Sequence, residues 1–330
     1  MHEVTSQWRN EDPADSSFSR LLAQLCQETQ SLPAALLFTD IAPSSAPEPT
    51  RLGSSSDVFK GTLTTSRTDR KPTTRAQHVA LKRLRIFPYP VAAPPPRYYG
   101  DFVRWNLLRH PHVLPFLGLT QQRQQELGAG CCIVTPWQKH GNVRAFLRDH
   151  PDPTEISRLL LEVARGLEYL HSEGLVHGDL RGANVLVHDD GRAQIADYGL
   201  RRWLDDAAME ELAGEGGIKN ARWEPPEYMA PSSSADGEGG EVWTPAGDVY
   251  SFGLLCWELW AGKCPFWETK RSAAVILAVI KGKRPDRPSV QAGYVRDMPG
   301  ALWDLVQKCW VRDPGARPTM NEVVRTMSAW

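Results

Sequence analysis

Between residues 175 and 187 the chain reads Leu-Val, then His177-Gly178-Asp179-Leu180-Arg181-Gly182-Ala183-Asn184, then Val-Leu-Val. A polar loop is thus suspended between two short apolar runs. It carries an Asp, a basic residue two positions on and an Asn five positions on. Directly before it, Ile156, Leu159, Leu160, Val163, Leu167 and Leu170 recur at helical spacing, which predicts a long amphipathic helix over Glu155–Ser172. A helix feeding a polar loop between strands is a demanding arrangement, and it restricts what the rest of the chain can be.

The remainder is ordered to match. Strand-like segments come first, over Asp57–Leu63, Gln77–Leu84, Val113–Leu119 and Cys131–Trp137, with a helix predicted over Asp101–Leu108. From Gly141 onward the pattern turns mainly helical, beginning with Asn142–Asp149. Segregation of strands and helices predicts an α+β protein of two lobes joined by one short hinge near residues 137–141. Residues 1–35 read as an N-terminal tail with a short amphipathic helix around Phe18, Leu21, Leu22 and Leu25; residues 36–137 form the first lobe and 138–330 the second. Phe87–Arg97 (FPYPVAAPPPR) is too rich in proline for helix or central strand and predicts an exposed polyproline-type loop. It reads either as a spacer or as a ligand for a proline-motif-binding partner. Ser232–Glu241 is a low-complexity loop.

Several function classes are disfavoured by composition. A formal net charge of -1 advertises neither nucleic acid nor an anionic membrane as partner. The longest apolar stretches, Tyr250–Ala261 and Ala273–Ile280, are shorter than the ~20 residues that span a bilayer. The first residues lack the apolar core of a signal peptide. Six Cys without metal-type spacing fit a reducing compartment. A cytoplasmic location is expected, with access to the nucleus left open.

Phosphoryl transfer from a nucleotide needs a cation on the phosphates, oxygen ligands for magnesium and a carboxylate to orient the attacking hydroxyl. Each has a candidate, in one consistent order. Val79-Ala80-Leu81-Lys82 is a strand ending in Lys, and the 177–184 loop supplies Asp179 and Asn184. Asp197-Tyr198-Gly199 follows, then Pro225-Pro226-Glu227, then Asp248–Gly253, then Cys309-Trp310 with Asp313-Pro314 and Arg317-Pro318. Together these motifs resemble the protein-kinase family over roughly residues 36–330. Within it the chain is similar to the tyrosine-kinase-like group, of the kind expanded in mushroom-forming (basidiomycete) fungi.

That resemblance implies the bilobal protein-kinase fold, with a small β-rich N-lobe and a larger α-helical C-lobe, using ATP and Mg2+ on a protein substrate. By it, Lys82 holds the α- and β-phosphates, Asp179 orients the substrate hydroxyl, and Asn184 and Asp197 bind the metal. Thr135 is the gatekeeper, and Pro136 and Gln138 offer backbone groups to adenine. Val58, Ala80 and Leu186 sandwich the base, and Gly53 belongs to the phosphate-covering loop. Arg181 stands where Ser/Thr kinases place Lys, and Glu227 is expected to pair with Arg317.

Departures from the pattern qualify the activity. Only Gly53 occupies the three glycine-loop positions, with Arg51 and Ser56 at the others. Asp101 stands where the helix should carry Glu. Gly178 replaces the Arg that normally reads a phosphate on the activation loop, and Leu200–Trp223 contains no Ser, Thr or Tyr. Two readings follow: an active kinase, Ser/Thr-directed and not switched on by loop phosphorylation, or a pseudokinase that acts as a protein-binding or scaffold module.

Overall fold

A computed structural model of the chain describes residues 16–39, 41–43, 51–52, 56–67, 73–84, 94–120, 131–201, 203, 221–229 and 243–330. The described residues divide into two compact units, one running to Arg109 and including Val113–Gln138, the other formed by His110–His112 and the chain from Lys139. The first is β-rich and the second helical, as the segregated pattern predicts.

In the first unit a helix α1 (Ser16–Glu28) precedes strands β1 (Leu37–Phe38), β2 (Ile41–Pro43), β3 (Arg51–Leu52), β4 (Ser56–Arg67) and β5 (Thr73–Leu84). Helix α2 (Tyr99–Leu107) and strands β6 (Gly118–Thr120) and β7 (Cys132–Pro136) complete it. One sheet runs β1-β6-β7-β5-β4-β2, with β3 pairing β4, and every pairing but β1 with β6 is antiparallel. Its core gathers Ile41, Phe59, Leu63, Val79, Leu81, Cys132 and Val134. Residues of the expected tail belong to this unit: Ala23 and Cys26 of α1 are buried with Leu36 and with Val103 of α2.

Three boundaries differ from the pattern, each for a local reason. Strands β4 and β5 run several residues past the apolar stretch, because Thr64, Thr65, Thr73 and Thr74 suit extended backbone despite their polarity. The strand expected from Val113 starts only at Gly118. Pro115 has no N–H to give a ladder, and the carbonyls of Phe116 and Leu117 instead accept from Asn106 Nδ2 at 2.9 and 3.2 Å. Most of the proline-rich 87–97 segment falls outside the described residues; Pro95 has polyproline-type dihedrals (φ -57, ψ 140), and Pro96–Tyr98 is a 3-10 turn leading into α2. Ser232–Glu241 lies outside them.

The second unit contains α3 (Val143–Asp149), α4 (Pro153–Ser172), the two-stranded sheet β8 (Val185–Val187) with β9 (Ala193–Ile195), and helices α5 (Pro245–Ala261), α6 (Ser272–Ile280), α7 (Gly300–Cys309) and α8 (Met320–Ser328). Helix starts follow capping chemistry. Asn142, Asp152, Thr244 and Thr319 each accept a backbone N–H with the side chain, and Pro153 and Pro245 occupy first helical positions where their missing N–H costs nothing. Helix α4 buries one stripe, whereas α5 is buried all round from Gly247 to Ala261 and forms the centre of the unit. Among the described residues no helix is long and apolar enough to cross a membrane.

One close approach sets the distance between α4 and the loop carrying His112. A Cβ on Gly166 would lie 2.6 Å from the His112 carbonyl oxygen, while the His112 oxygen also accepts from Ile195 N at 2.9 Å. The obstacle is backbone already committed to β9, so it cannot swing aside. Gly166→Ala is expected to lower stability by about 1–3 kcal/mol. Gly300→Ala, whose added carbon meets nothing nearer than 3.9 Å, should change it by less than about 0.5 kcal/mol. Urea unfolding midpoints of the two variants check this; equal midpoints would contradict it.

Candidate active site

The loop after α4 is fixed from below by one carboxylate. Asp248, in the first turn of α5 and 2% exposed, accepts from the backbone N–H groups of His177 (2.7 Å) and Gly178 (2.8 Å). His171 Nε2 lies 2.9 Å from the same group. A carboxylate suits this place because the helix N-terminus presents positive partial charge. Gly178 lies at φ +77, a left-handed backbone that a glycine adopts without strain.

His177 is fully buried, and that burial lowers its pKa against the pull of Asp248, Asp179 and Asp197. The neutral ring can then accept, and Asp179 N donates to its Nδ1 at 3.2 Å. The Asp179 carboxylate is in turn oriented by two donors, Asn184 Nδ2 at 2.9 Å and Arg181 Nε at 3.4 Å. Asn184 Nδ2 also reaches the Asp179 carbonyl at 2.8 Å, so Arg181 and Asn184 both meet the Asp179 carboxylate, as the loop's spacing led us to expect.

Asp197 is brought alongside by the β8–β9 pair. Ala196 N donates to the Asn184 carbonyl at 2.8 Å and Gly199 N to the His177 carbonyl at 3.0 Å, so the 197–199 corner hangs on the loop at both ends. Asp197 itself has φ +63, one of the few non-glycine residues in the left-handed region. Strain of this kind persists where the surroundings over-determine it. Asn184 and Asp197 offer amide and carboxylate oxygens to a hard cation. With its nitrogen committed to Asp179, Asn184 has its Oδ1 for that role. Such a small oxygen set fits magnesium, which keeps waters and binds through one or two carboxylates plus phosphates.

In the first unit, register decides which side chains share a face. Val79 and Leu81 point into the sheet core, so Ala80 and Lys82 take the other side of β5. Val58 lies directly opposite Lys82, and Thr135 opposite Ala80, which puts Val58, Ala80, Lys82 and Thr135 on that same face. Pro136 ends β7, and Trp137 N donates to His78 O at 3.1 Å, leading to the buried Gln138. Leu186 belongs to the second unit, between buried Val185 and Val187 of β8, and is itself only half-buried. Asp101 lies in the first turn of α2. Gly53 falls outside the described residues; beside it, Arg51 pairs Val58 in β3 and Ser56 opens β4.

Glu258 was not singled out from the sequence, yet it organises the other side of the loop. Its 1%-exposed carboxylate accepts from Gly182 N (2.9 Å) and Trp223 Nε1 (2.9 Å), with Arg144 Nε at 3.3 Å. Burial raises its pKa against these three donors. The available signal was an acid alone in the apolar run Leu254–Trp260, a residue type seldom buried unless paired.

The pairing expected between Arg317 and Glu227 is present and bidentate, at 2.6 and 2.8 Å, with the Arg317 side chain fully buried. Arg317 also donates to the carbonyls of Ala246 and Val311, using the planar fork that Lys lacks. Arg317→Ala leaves those groups unanswered and should cost about 3–5 kcal/mol. Arg317→Lys should recover less than half of the loss. Chemical denaturation of the two variants measures this; a Lys variant as stable as the parent would refute the fork.

The family model for protein tyrosine and serine/threonine kinases matches residues 51–327. The chain is 29% identical over 239 residues to the serine/threonine/tyrosine-protein kinase HT1 of Arabidopsis thaliana, covering 71% of this chain and 55% of that one. It is 28% identical over 280 residues to the serine/threonine-protein kinase STY17 of the same plant, covering 84% and 42%. With human ephrin type-A receptor 1 the identity is 29% over 284 residues, covering 82% and 25%. The chain thus spans about half the length, or less, of these curated relatives. A loop tied to Asp248 and a match over most of its length place this chain in the protein-kinase family.

Proposed function

We propose that this chain transfers the γ-phosphoryl group of magnesium-ATP to Ser or Thr hydroxyls of protein substrates. The observation that carries the reading is the Asp179 carboxylate, held by Asn184 and Arg181 on a loop tied to a buried Asp. Asp179 accepts the substrate hydroxyl proton as that oxygen bonds to the γ-phosphorus and the bond to the β–γ bridging oxygen breaks, releasing ADP. Lys82 answers the charge of the α- and β-phosphates, and Arg181 supports the transferring group. Asn184 and Asp197 would hold magnesium, which would supply charge neutralisation on the phosphates. Thr135, Pro136, Gln138, Val58, Ala80, Leu186 and Gly53 serve the nucleotide.

The Ser/Thr preference is supported by Arg181, where Ser/Thr kinases carry Lys, and by Ala183, where tyrosine kinases often carry Arg. Independence from loop phosphorylation is supported by Gly178 and by the lack of Ser, Thr and Tyr in residues 200–223. All six Cys are free thiols, which supports a reducing, cytoplasmic setting. A second reading has an observation of its own. Arg51 and Ser56 stand at two glycine-loop positions, and Ser56 is a buried residue of β4, which favours a pseudokinase with weak nucleotide binding.

Two measurements separate them. Asp179→Asn keeps the shape and removes the base, and should lower turnover about 10²–10⁴-fold. Magnesium-ATP should raise Tm in a concentration-dependent way, equivalent to about 2.7 kcal/mol at a hundred times Kd. No Tm change at millimolar nucleotide, together with no phosphoryl transfer, would leave the binding-module reading standing.

A further inference from the structure

Helix α2 has no exposed residue from Tyr99 to Leu107, because two different partners cover it. On one side Val103 joins Ala23 and Cys26 of α1 and Leu36 in a buried cluster, with Leu22, Tyr99 and Leu107 packed against it. On another side Phe102 and Trp105 meet the Phe116 ring, at centroid distances of 5.7 and 5.9 Å.

The approach of α1 is closest at Gly100. A Cβ built there would lie 3.1 Å from the Ala23 carbonyl oxygen and 3.5 Å from its carbon. That obstacle is helix backbone and cannot swing aside. Small residues on both helices, Gly100 and Ala23, permit the contact. Asp101 is the next residue. Tyr99, Gly100, Val103 and Leu107 face α1, and at about 100° per residue Asp101 falls on the half of α2 turned away from it. Helix α1 therefore supports the back of the helix that carries Asp101.

Asp101 is a short acid for its place. The helix of a protein kinase carries Glu there to pair the strand Lys, and that pair must be in place for phosphoryl transfer. Asp reaches less far by one C–C bond, about 1.5 Å. A short side chain is served by a helix set further forward, and what packs behind a helix sets its position. Helix α1 precedes residues 51–327, so this contact lies outside the matched domain.

We propose that α1 is a positioning helix, which by backing α2 at Gly100 carries Asp101 toward Lys82 by the length of the missing methylene. The short acid and the additional helix are then one device. Its role in phosphoryl transfer rests on the kinase reading above.

The test uses the full chain with Ala23→Glu, which disrupts the contact from α1, and Gly100→Leu, which disrupts it from α2. Each is made alone and with Asp101→Glu, and Leu25→Ser on the exposed face of α1 is the control. Site-resolved alkylation of Cys26, a buried thiol of the contact, reads docking without any need for activity. Ala23→Glu and Gly100→Leu should each raise the Cys26 alkylation rate about tenfold, with buried Cys309 of the second unit unchanged. Each should lower kcat/KM for ATP about tenfold, and Leu25→Ser should alter neither readout. Asp101→Glu should be no better than the parent by itself, yet in either disrupted background it should return kcat/KM to within about threefold of the parent. A merely structural role cannot give that reversal, because a longer acid does not mend lost packing. Cys26 protection unchanged in both disrupted variants refutes the contact. Failure of Asp101→Glu to rescue either background, or an equal gain from it in the parent, refutes the positioning role. A parent that transfers no phosphate removes the kinase reading and that role with it, while alkylation still decides whether α1 is docked.

Discussion

The second unit is organised by a carboxylate that solvent scarcely reaches. Asp248 answers two consecutive backbone N–H groups and a histidine ring, and charge-assisted bonds of this kind are about twice as strong as neutral ones. A polar loop cannot otherwise sit over an apolar helix, because its backbone donors would be stranded. With His177 and Gly178 fixed, the orientations of Asp179 and Asn184 follow from bonds inside the loop, and Asp197 is hung from the loop's own carbonyls. The position of the proposed base is thus inherited from the start of α5, more than sixty residues later in sequence.

Two further acids share this way of working. Glu258, on the same helix, closes the loop's far end and reaches Trp223, while Glu227 locks its segment to Arg317. Helix α5 is apolar on every side, so each acid it buries must be matched by donors from elsewhere in the chain. Directing those donors to one central helix stiffens the loops that carry Asp179 and Glu227. Gly178 belongs to the same economy of space. Its positive φ lets the chain turn under Trp243, and no side chain there competes with Arg201.

Much of this was legible in the sequence. The stripe of α4 and the strand-first, helix-later order are periodicity signals, and they delivered the α+β division. Asp179, Asn184, Asp197, Asp248 and the Arg317–Glu227 pair were readable because their spacing and order match a known motif set. Glu258 and Trp243 were not, since a burial partner is set by tertiary approach and leaves no periodic trace. The late start of β6 was hidden for a related reason: Asn106, on a helix, satisfies carbonyls that an apolar run would assign to a ladder. Helix α1 showed as an amphipathic pattern, but its packing against Val103 of α2 depends on a surface that no local pattern records.

Asp248 holds the loop in place through the amides of His177 and Gly178. Amide hydrogen exchange at those two residues in Asp248→Asn tests it most directly, because the variant retains one acceptor and loses the charge. Each hydrogen bond to a charged group contributes roughly 1.5–3 kcal/mol, so exchange at 177 and 178 should accelerate by about 10- to 100-fold, with the core amides of α4 unaffected. Protection at both amides equal to that of the parent chain would contradict the account.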